Sequence, residues 1–115
     1  MALVLNCVFC KIIEGEIPAD IVLRNENVVA FNDLNPQAPT HVLLIPTLHT
    51  ENAAGIARNS ATMTADLFLA ADQIAKERGL EGYRTVFNTG EAAGQSVFHA
   101  HLHLLGGRAM AWPPG

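Results

Sequence analysis

Three of the five histidines fall at alternate positions of one short segment, FHAHLHLLGGR (98–108). They are His99, His101 and His103, separated by Ala100 and Leu102 and followed by Leu104 and Leu105. Alternation is the strand period, in which positions i, i+2 and i+4 share a face. The three imidazoles therefore line up on one side, with the small and apolar residues turned to the other. Histidine titrates near neutral pH, and clustering disfavours the cationic form through desolvation and mutual repulsion. A neutral imidazole held by its neighbours can attack as a nucleophile. A single metal shared by the whole row is a poorer fit. Same-face positions lie about 6.8 Å apart along a strand, so the outer pair is about 13 Å apart. Two such histidines can share a zinc, but three in a straight row can hardly do so. Histidines merely satisfied in a polar face are the plainer alternative, and strict alternation of three argues against it.

The residues before the row add a second chemical feature. In GEAAGQS (90–96), Gly90 and Gly94 let the backbone approach a ligand. Its N–H groups, with Gln95 and Ser96, can donate to phosphate oxygens. A hairpin connection also favours glycine, so the loop gains meaning from the histidines beside it. Together they describe a phosphorus electrophile, an imidazole nucleophile and donors around both. The only cysteines, Cys7 and Cys10, form a C-x-x-C pair. A redox role expects a strand–helix–strand setting that is absent here. Two thiolates at this spacing hold zinc if two further ligands come from elsewhere; surplus buried cysteines are the remaining reading.

Positioning these groups requires a sheet. IVLRNENVVAFND (21–33) reads as two short strands turned at Asn25 to Asn27, and HVLLIP (41–46) as a buried strand. ENAAGIA (51–57) suits a short helix. The clearest helix runs from about Ser60 to Arg78, capped by Ser60 or Thr62, with Met63, Leu67, Ala70 and Ile74 as its apolar stripe and Gly79 beyond its end. YRTVFNTG (83–90) is a strand leading into the glycine loop, and the histidine strand spans 97–105. The last two strands are joined by too few residues for a parallel crossover, so they run antiparallel. The expectation is an α+β domain with a mostly antiparallel sheet and one main helix packed on it.

Composition narrows the partners. At 115 residues, half of them apolar and 16% charged, the chain is expected to form one domain over 1–115. A net charge of −4 argues against a nucleic-acid surface. No stretch approaches the ~20 apolar residues that span a bilayer. MALVLNCVFCKIIEGE lacks the basic start and long apolar run of a signal peptide. A cytoplasmic protein with reduced thiols is expected.

The segment HAHLHLL resembles the His-φ-His-φ-His-φ-φ pattern (φ apolar) of the histidine triad superfamily. CKIIEGEIPADIV, AFNDLNPQAPTHVLLIP, GYRTVFNTGEAAGQSVFHAHLHLLGGR and the terminal WPPG are similar to its Hint branch, the histidine triad nucleotide-binding proteins. The resemblance implies a five-stranded, mostly antiparallel sheet with one main and one short helix, continued across a homodimer. It implies hydrolysis of purine nucleoside phosphoramidates, with His101 as the nucleophile that becomes nucleotidylated and no cofactor required. Ser96 would donate toward the leaving nitrogen, while His99, His103 and His41 orient and polarise the site. Asp33 matches the position that binds ribose hydroxyls; Asn88, Gly94, Gln95 and Val97 match contacts to ribose and phosphate. Phe31 and Leu34, with Phe9 and Ile12 or Ile17, are candidates for the base pocket. Trp112 corresponds to a residue that reaches the partner's site. Bacterial members with this cysteine pattern imply a structural zinc on Cys7, Cys10, His49 and His99. A purine nucleotide sensor or scaffold dimer without catalysis is the alternative, and dinucleoside polyphosphate hydrolysis a more distant one.

Overall fold

The turn at Asn25 starts the sheet: its side-chain oxygen accepts from the N–H groups of Asn27 (2.9 Å) and Val28 (3.0 Å). That Asx turn joins β1 (Ile21–Arg24) to β2 (Val28–Asn32). β3 (Thr40–Pro46) is buried along its whole length, as expected of a central strand covered on both faces. β4 (Tyr83–Phe87) and β5 (Leu102–Gly106) complete a five-stranded sheet in the order β1-β2-β3-β5-β4, with every neighbouring pair antiparallel. The computed structural model describes residues 6–115. The reading of the first residues as lacking a leader falls largely on 1–5, outside the described residues.

One face of the sheet is covered by α2 (Ala53–Asn59) and α3 (Ala61–Glu77). Ser60 caps α3 by accepting from Met63 N–H at 3.0 Å. Leu67, Ala70 and Ile74, with Met63 beside them, pack onto Val28, Ala30, Val42, Leu44, Leu102 and Leu104. Beyond the end of α3, Gly79 adopts a left-handed conformation (φ 66°), which costs glycine least. α2 lies two residues later than the sequence suggests, because Asn52 takes the cap position and accepts from Gly55 N–H at 2.9 Å. Among the described residues no helix is long and apolar enough to cross a membrane.

Two expectations are corrected. The cysteine segment is itself a helix, α1 (Val8–Glu14), numbered first in the chain. Its Phe9 and Ile12 pack with Val29, Phe31, Leu43 and Ile45 over the second face of the sheet. The histidine strand is also shorter than 97–105. Only Leu102–Gly106 has ladder partners on both sides, so His99 and His101 precede β5 and His103 lies within it.

Candidate active site

The register brings the polar groups to the α1 face. His103 lies opposite Leu43 on β3 and Val86 on β4, and His41 lies opposite Leu105. Asn88 follows Phe87, the last residue of β4, whose ladder partner Leu102 directly follows His101. The His101 and His103 rings have centroids 5.0 Å apart, and those of His41 and His103 are 5.2 Å apart. Ala100, Leu102 and Leu104 point the other way into the core. Phe9 of α1 sets its ring edgewise against His101 (5.1 Å), His99 (6.0 Å) and Phe31 (5.6 Å).

A neutral imidazole has one N–H and one lone pair, so a partner at one nitrogen fixes the other. The Pro46 carbonyl lies 2.9 Å from His99 Nε2, which must donate to it, leaving the lone pair on Nδ1. The His99 carbonyl lies 2.9 Å from His101 Nδ1. His101 therefore carries its proton on Nδ1 and a free lone pair on Nε2. At the other end, Gln37 N–H donates to His41 Nδ1 at 3.0 Å, which puts the His41 proton on Nε2. That proton faces His103 Nδ1 at 2.9 Å, with Asp33 Oδ2 farther off at 3.4 Å. His103 then carries its proton on Nε2, a buried atom with no hydrogen-bond partner among the described residues. The arrangement presents a lone pair on His101 beside an unused N–H on His103.

Burial disfavours the charged form of His41, His99 and His103. It pushes the His103 pKa down to about 4, helped by repulsion from His101 and His41 and opposed by Asp33. Burial also lowers His41, again against Asp33. His99 is lowered to about 4, first by burial; its bond to Pro46 works the other way, and His49 and His101 add repulsion. Asp33, His41 and His103 bring their ligand atoms within 4.8 Å of one another. The N–H···N bond between the two histidines already uses the lone pair that a metal would need.

Beside the row is an apolar cleft of about 240 Å³ whose lining includes Phe9, Ile12, Ile17, Phe31, Asp33 and Leu34. Every apolar residue singled out for the base pocket converges there. Leu34 is 100% exposed at its mouth. Asp33 uses one oxygen to accept from Asn35 N–H at 2.7 Å and turns the other toward His41. Ser96 is exposed and, with Val97, lines a second cleft of about 400 Å³ that also includes Cys7, Val8, His49 and Phe98. Val8 lines both clefts.

The glycine loop engages much of its own polarity. The Gln95 side chain is buried and committed to its own loop. Its oxygen accepts from Gly90 N–H (2.9 Å), and its amide donates to the carbonyls of Glu51 (2.7 Å) and Val97 (3.1 Å). The backbone N–H groups of Gly94 and Gln95 are likewise turned to the Glu91 and Gly90 carbonyls. These two residues shape the loop and are not free phosphate donors. Trp112, expected to reach a partner's site, is 83% exposed and lines neither cleft of its own chain. Sequence reasoning missed Gln37, which acts through its backbone N–H and so leaves no side-chain signal.

His99 belongs to a different cluster from His101. Its Nδ1 lies 3.5 Å from Cys7 Sγ and 3.5 Å from Cys10 Sγ, and His49 Nδ1 lies 3.3 Å from Cys10 Sγ. All four ligand atoms fall within 4.8 Å of one another. Zn–S bonds of about 2.3 Å and Zn–N bonds of about 2.0–2.1 Å in a tetrahedron give S···N edges of about 3.5 Å. The donor set and its spacing fit zinc. Because His99 Nε2 is held by Pro46, the nitrogen offered to the cluster is the one with the lone pair.

The family model described as "Scavenger mRNA decapping enzyme C-term binding" matches residues 6–111. An uncharacterized HIT-like protein of Synechococcus elongatus is 50% identical over 111 residues, covering 96% of this chain and 97% of that protein. A 14 kDa zinc-binding protein of Zea mays is 48% identical over 112 residues, covering 94% and 87%. The crystal structure of a HIT family hydrolase from Legionella pneumophila superposes with a TM-score of 0.91 at 48% identity, covering 96% of this chain and 100% of that one.

The buried histidines predict an acid-sensitive fold. An unfolded histidine takes up a proton near pH 6.5, whereas folded His103 resists until about 4. Between these values the unfolded state holds more protons, so stability is full above pH 6.5 and falls as pH drops toward 4. Urea midpoints measured from pH 7 to pH 4.5 should fall less steeply for His103→Gln than for the unaltered protein. Parallel slopes would contradict the depressed pKa.

Proposed function

The chain belongs to the histidine triad superfamily, and from that membership we propose that it is a Hint-type hydrolase of purine nucleoside phosphoramidates. The observation that carries the reading is the free Nε2 lone pair of His101, fixed by the His99 carbonyl and set beside the unused His103 N–H. The word hydrolase in the name of the Legionella protein supports the reaction class. The apolar cleft, with Asp33 on its wall, suits a base and ribose.

In the proposed reaction His101 Nε2 donates its lone pair to phosphorus while the P–N bond breaks. Ser96 donates a proton toward the leaving nitrogen, which departs as a neutral amine. General-acid help of this kind is typically worth ~10²–10⁴-fold. His103 Nε2–H donates to a phosphoryl oxygen as charge builds there. The His99 carbonyl accepts the Nδ1 proton of His101 throughout, steadying the ring as it becomes positive. Water then attacks phosphorus and returns a proton to the Ser96 oxygen, the N–P bond breaks, and its electron pair returns to His101 Nε2 with release of the nucleoside monophosphate. Two steps replace one in which water would have to expel the amine unaided. Asn88, just beyond the end of β4, contacts the sugar or phosphate. No cofactor enters these steps.

Cys7, Cys10, His49 and His99 would hold a structural zinc. The maize relative's description as zinc-binding supports this. Held there, zinc would tie α1 to the chain around His49 and His99. Thiolate ligands suit a reducing compartment, the cytoplasm. A second copy of the chain completes the assembly. Among the described residues β4 is an edge strand, paired only with β5, and its Tyr83, with Phe68 packed on its Phe87, is more than 40% exposed, as is Phe68. A homodimer would continue the sheet there and bring Trp112 to the neighbouring site.

The decisive assay is incubation with adenosine 5′-phosphoramidate followed by acid quench and intact mass. A nucleotidyl adduct should form on the unaltered protein. His101→Ala should form none and lose at least ~10³-fold in turnover while still binding nucleotide. Turnover within tenfold would overturn the assignment, and nucleotide binding with no turnover in the unaltered protein would favour a sensor.

Protein grown with zinc should contain about one zinc per chain. Cys7→Ser with Cys10→Ser should lose it and melt at lower temperature while keeping most activity. A folded but inactive double variant would contradict a structural role. Light scattering at micromolar concentration should give twice the chain mass, and a monomer would contradict the dimer.

A further inference from the structure

We propose that Asp20 selects the base, favouring guanine over adenine. The inference rests on the base-cleft reading above and goes beyond it by naming the substrate's base. Three residues lining the apolar cleft are polar: Asp20, Asn32 and Asp33. Asp33 is assigned to the ribose side in that reading, and Asn32 is already occupied. Asp33 accepts from Asn35 N–H with one oxygen and faces His41 with the other. The Asn32 amide is used at both ends. Its oxygen accepts from Arg78 at 3.1 Å, and its NH₂ donates to Asp20 Oδ2 at 2.7 Å.

That leaves the Asp20 carboxylate, which is held in place but not used up. Arg78 draws the Asn32 oxygen to itself, so the amide nitrogen must face Asp20. The backbone carbonyl of Asp20 also accepts from Asn32 N–H at 3.0 Å. A carboxylate has about four lone-pair sites, and the bond to Asn32 uses one. The second oxygen, Oδ1, has no partner among the described side-chain bonds. An acceptor-only group with a free oxygen on a mostly apolar wall discriminates between bases by their edges. Guanine presents N1–H and the 2-amino group side by side, two donors that match a carboxylate. Adenine presents the N1 lone pair beside its 6-amino group, so one acceptor would face another. Hypoxanthine keeps N1–H but lacks the 2-amino group and falls between.

The test compares kcat/KM for guanosine, inosine and adenosine 5′-phosphoramidates, alongside calorimetric binding of GMP and AMP. Asp20 is exposed to water, so the expected preference for guanosine over adenosine is about tenfold, carried mainly by KM. Asp20→Asn is the sharper variant. Its oxygen can still accept from Asn32, while its NH₂ replaces the acceptor that meets guanine. It should remove the preference or turn it toward adenosine, with little change in kcat. Asp20→Ala should bring the ratio to about 1. A ratio unchanged in both variants, or a preference for adenosine in the unaltered protein, would overturn the role of Asp20. Equal turnover of all three substrates would do the same while leaving the phosphoramidase reading intact. Tighter binding of GMP than AMP, lost in Asp20→Asn, with no turnover of any phosphoramidate, would sustain Asp20 and overturn the phosphoramidase reading instead.

Discussion

The hydrogen bond from Gln37 N–H to His41 Nδ1 sets the direction of the whole site. A backbone amide can only donate, so the ring it meets must accept at that nitrogen and offer its proton at the other. The offer passes from His41 to His103 across 2.9 Å and ends on a buried N–H beside His101. From the opposite end two carbonyls, those of Pro46 and His99, fix His99 and His101 in the complementary sense. The two chains of constraint meet between His101 and His103, where one ring presents a lone pair and the other a proton. Nothing has to reorient for a phosphoryl group to be received there, which is the sense in which such a site is preorganised.

The same logic separates two uses of one motif. His99 and His101 are two residues apart, yet their free lone pairs serve different sites. That of His99, on Nδ1, faces two sulfurs, while that of His101, on Nε2, is left for chemistry. The link between the sites is α1. Cys7 and Cys10 tie this helix to the His49–His99 cluster, and Phe9, between the two cysteines, touches both His99 and His101 and walls the apolar cleft. Seven residues have little intrinsic helical stability. Their order comes from the apolar contacts of Phe9 and Ile12 and from whatever joins the cysteines to the histidines.

Much of the fold could be read from the chain because its signals are local. Ser60 before an apolar stripe, Gly79 after it, and asparagine between two β-branched runs each settle one boundary. The alternation of histidine with Ala100, Leu102 and Leu104 correctly separated polar from core faces. The missed helix α1 has no serine, threonine or aspartate to announce it; a cysteine sulfur takes the cap and accepts from Cys10 N–H. The strand was drawn too long because alternation continues through His99 and His101 even though the ladder does not. Gln95 looked like a phosphate donor because its type permits that bond. Only the folded loop shows that its amide is already used by Gly90, Glu51 and Val97. Gln37 illustrates the deeper limit, since a backbone N–H is the same in every residue but proline.

Long-range ¹H–¹⁵N correlation of the five imidazoles, recorded on the unliganded protein near neutral pH, tests the tautomer chain most directly. The expected result is His101 protonated at Nδ1 and bare at Nε2, with His41, His99 and His103 protonated at Nε2. A His101 ring carrying its proton on Nε2 would have no lone pair to give at that nitrogen, and that result would contradict the account of the site.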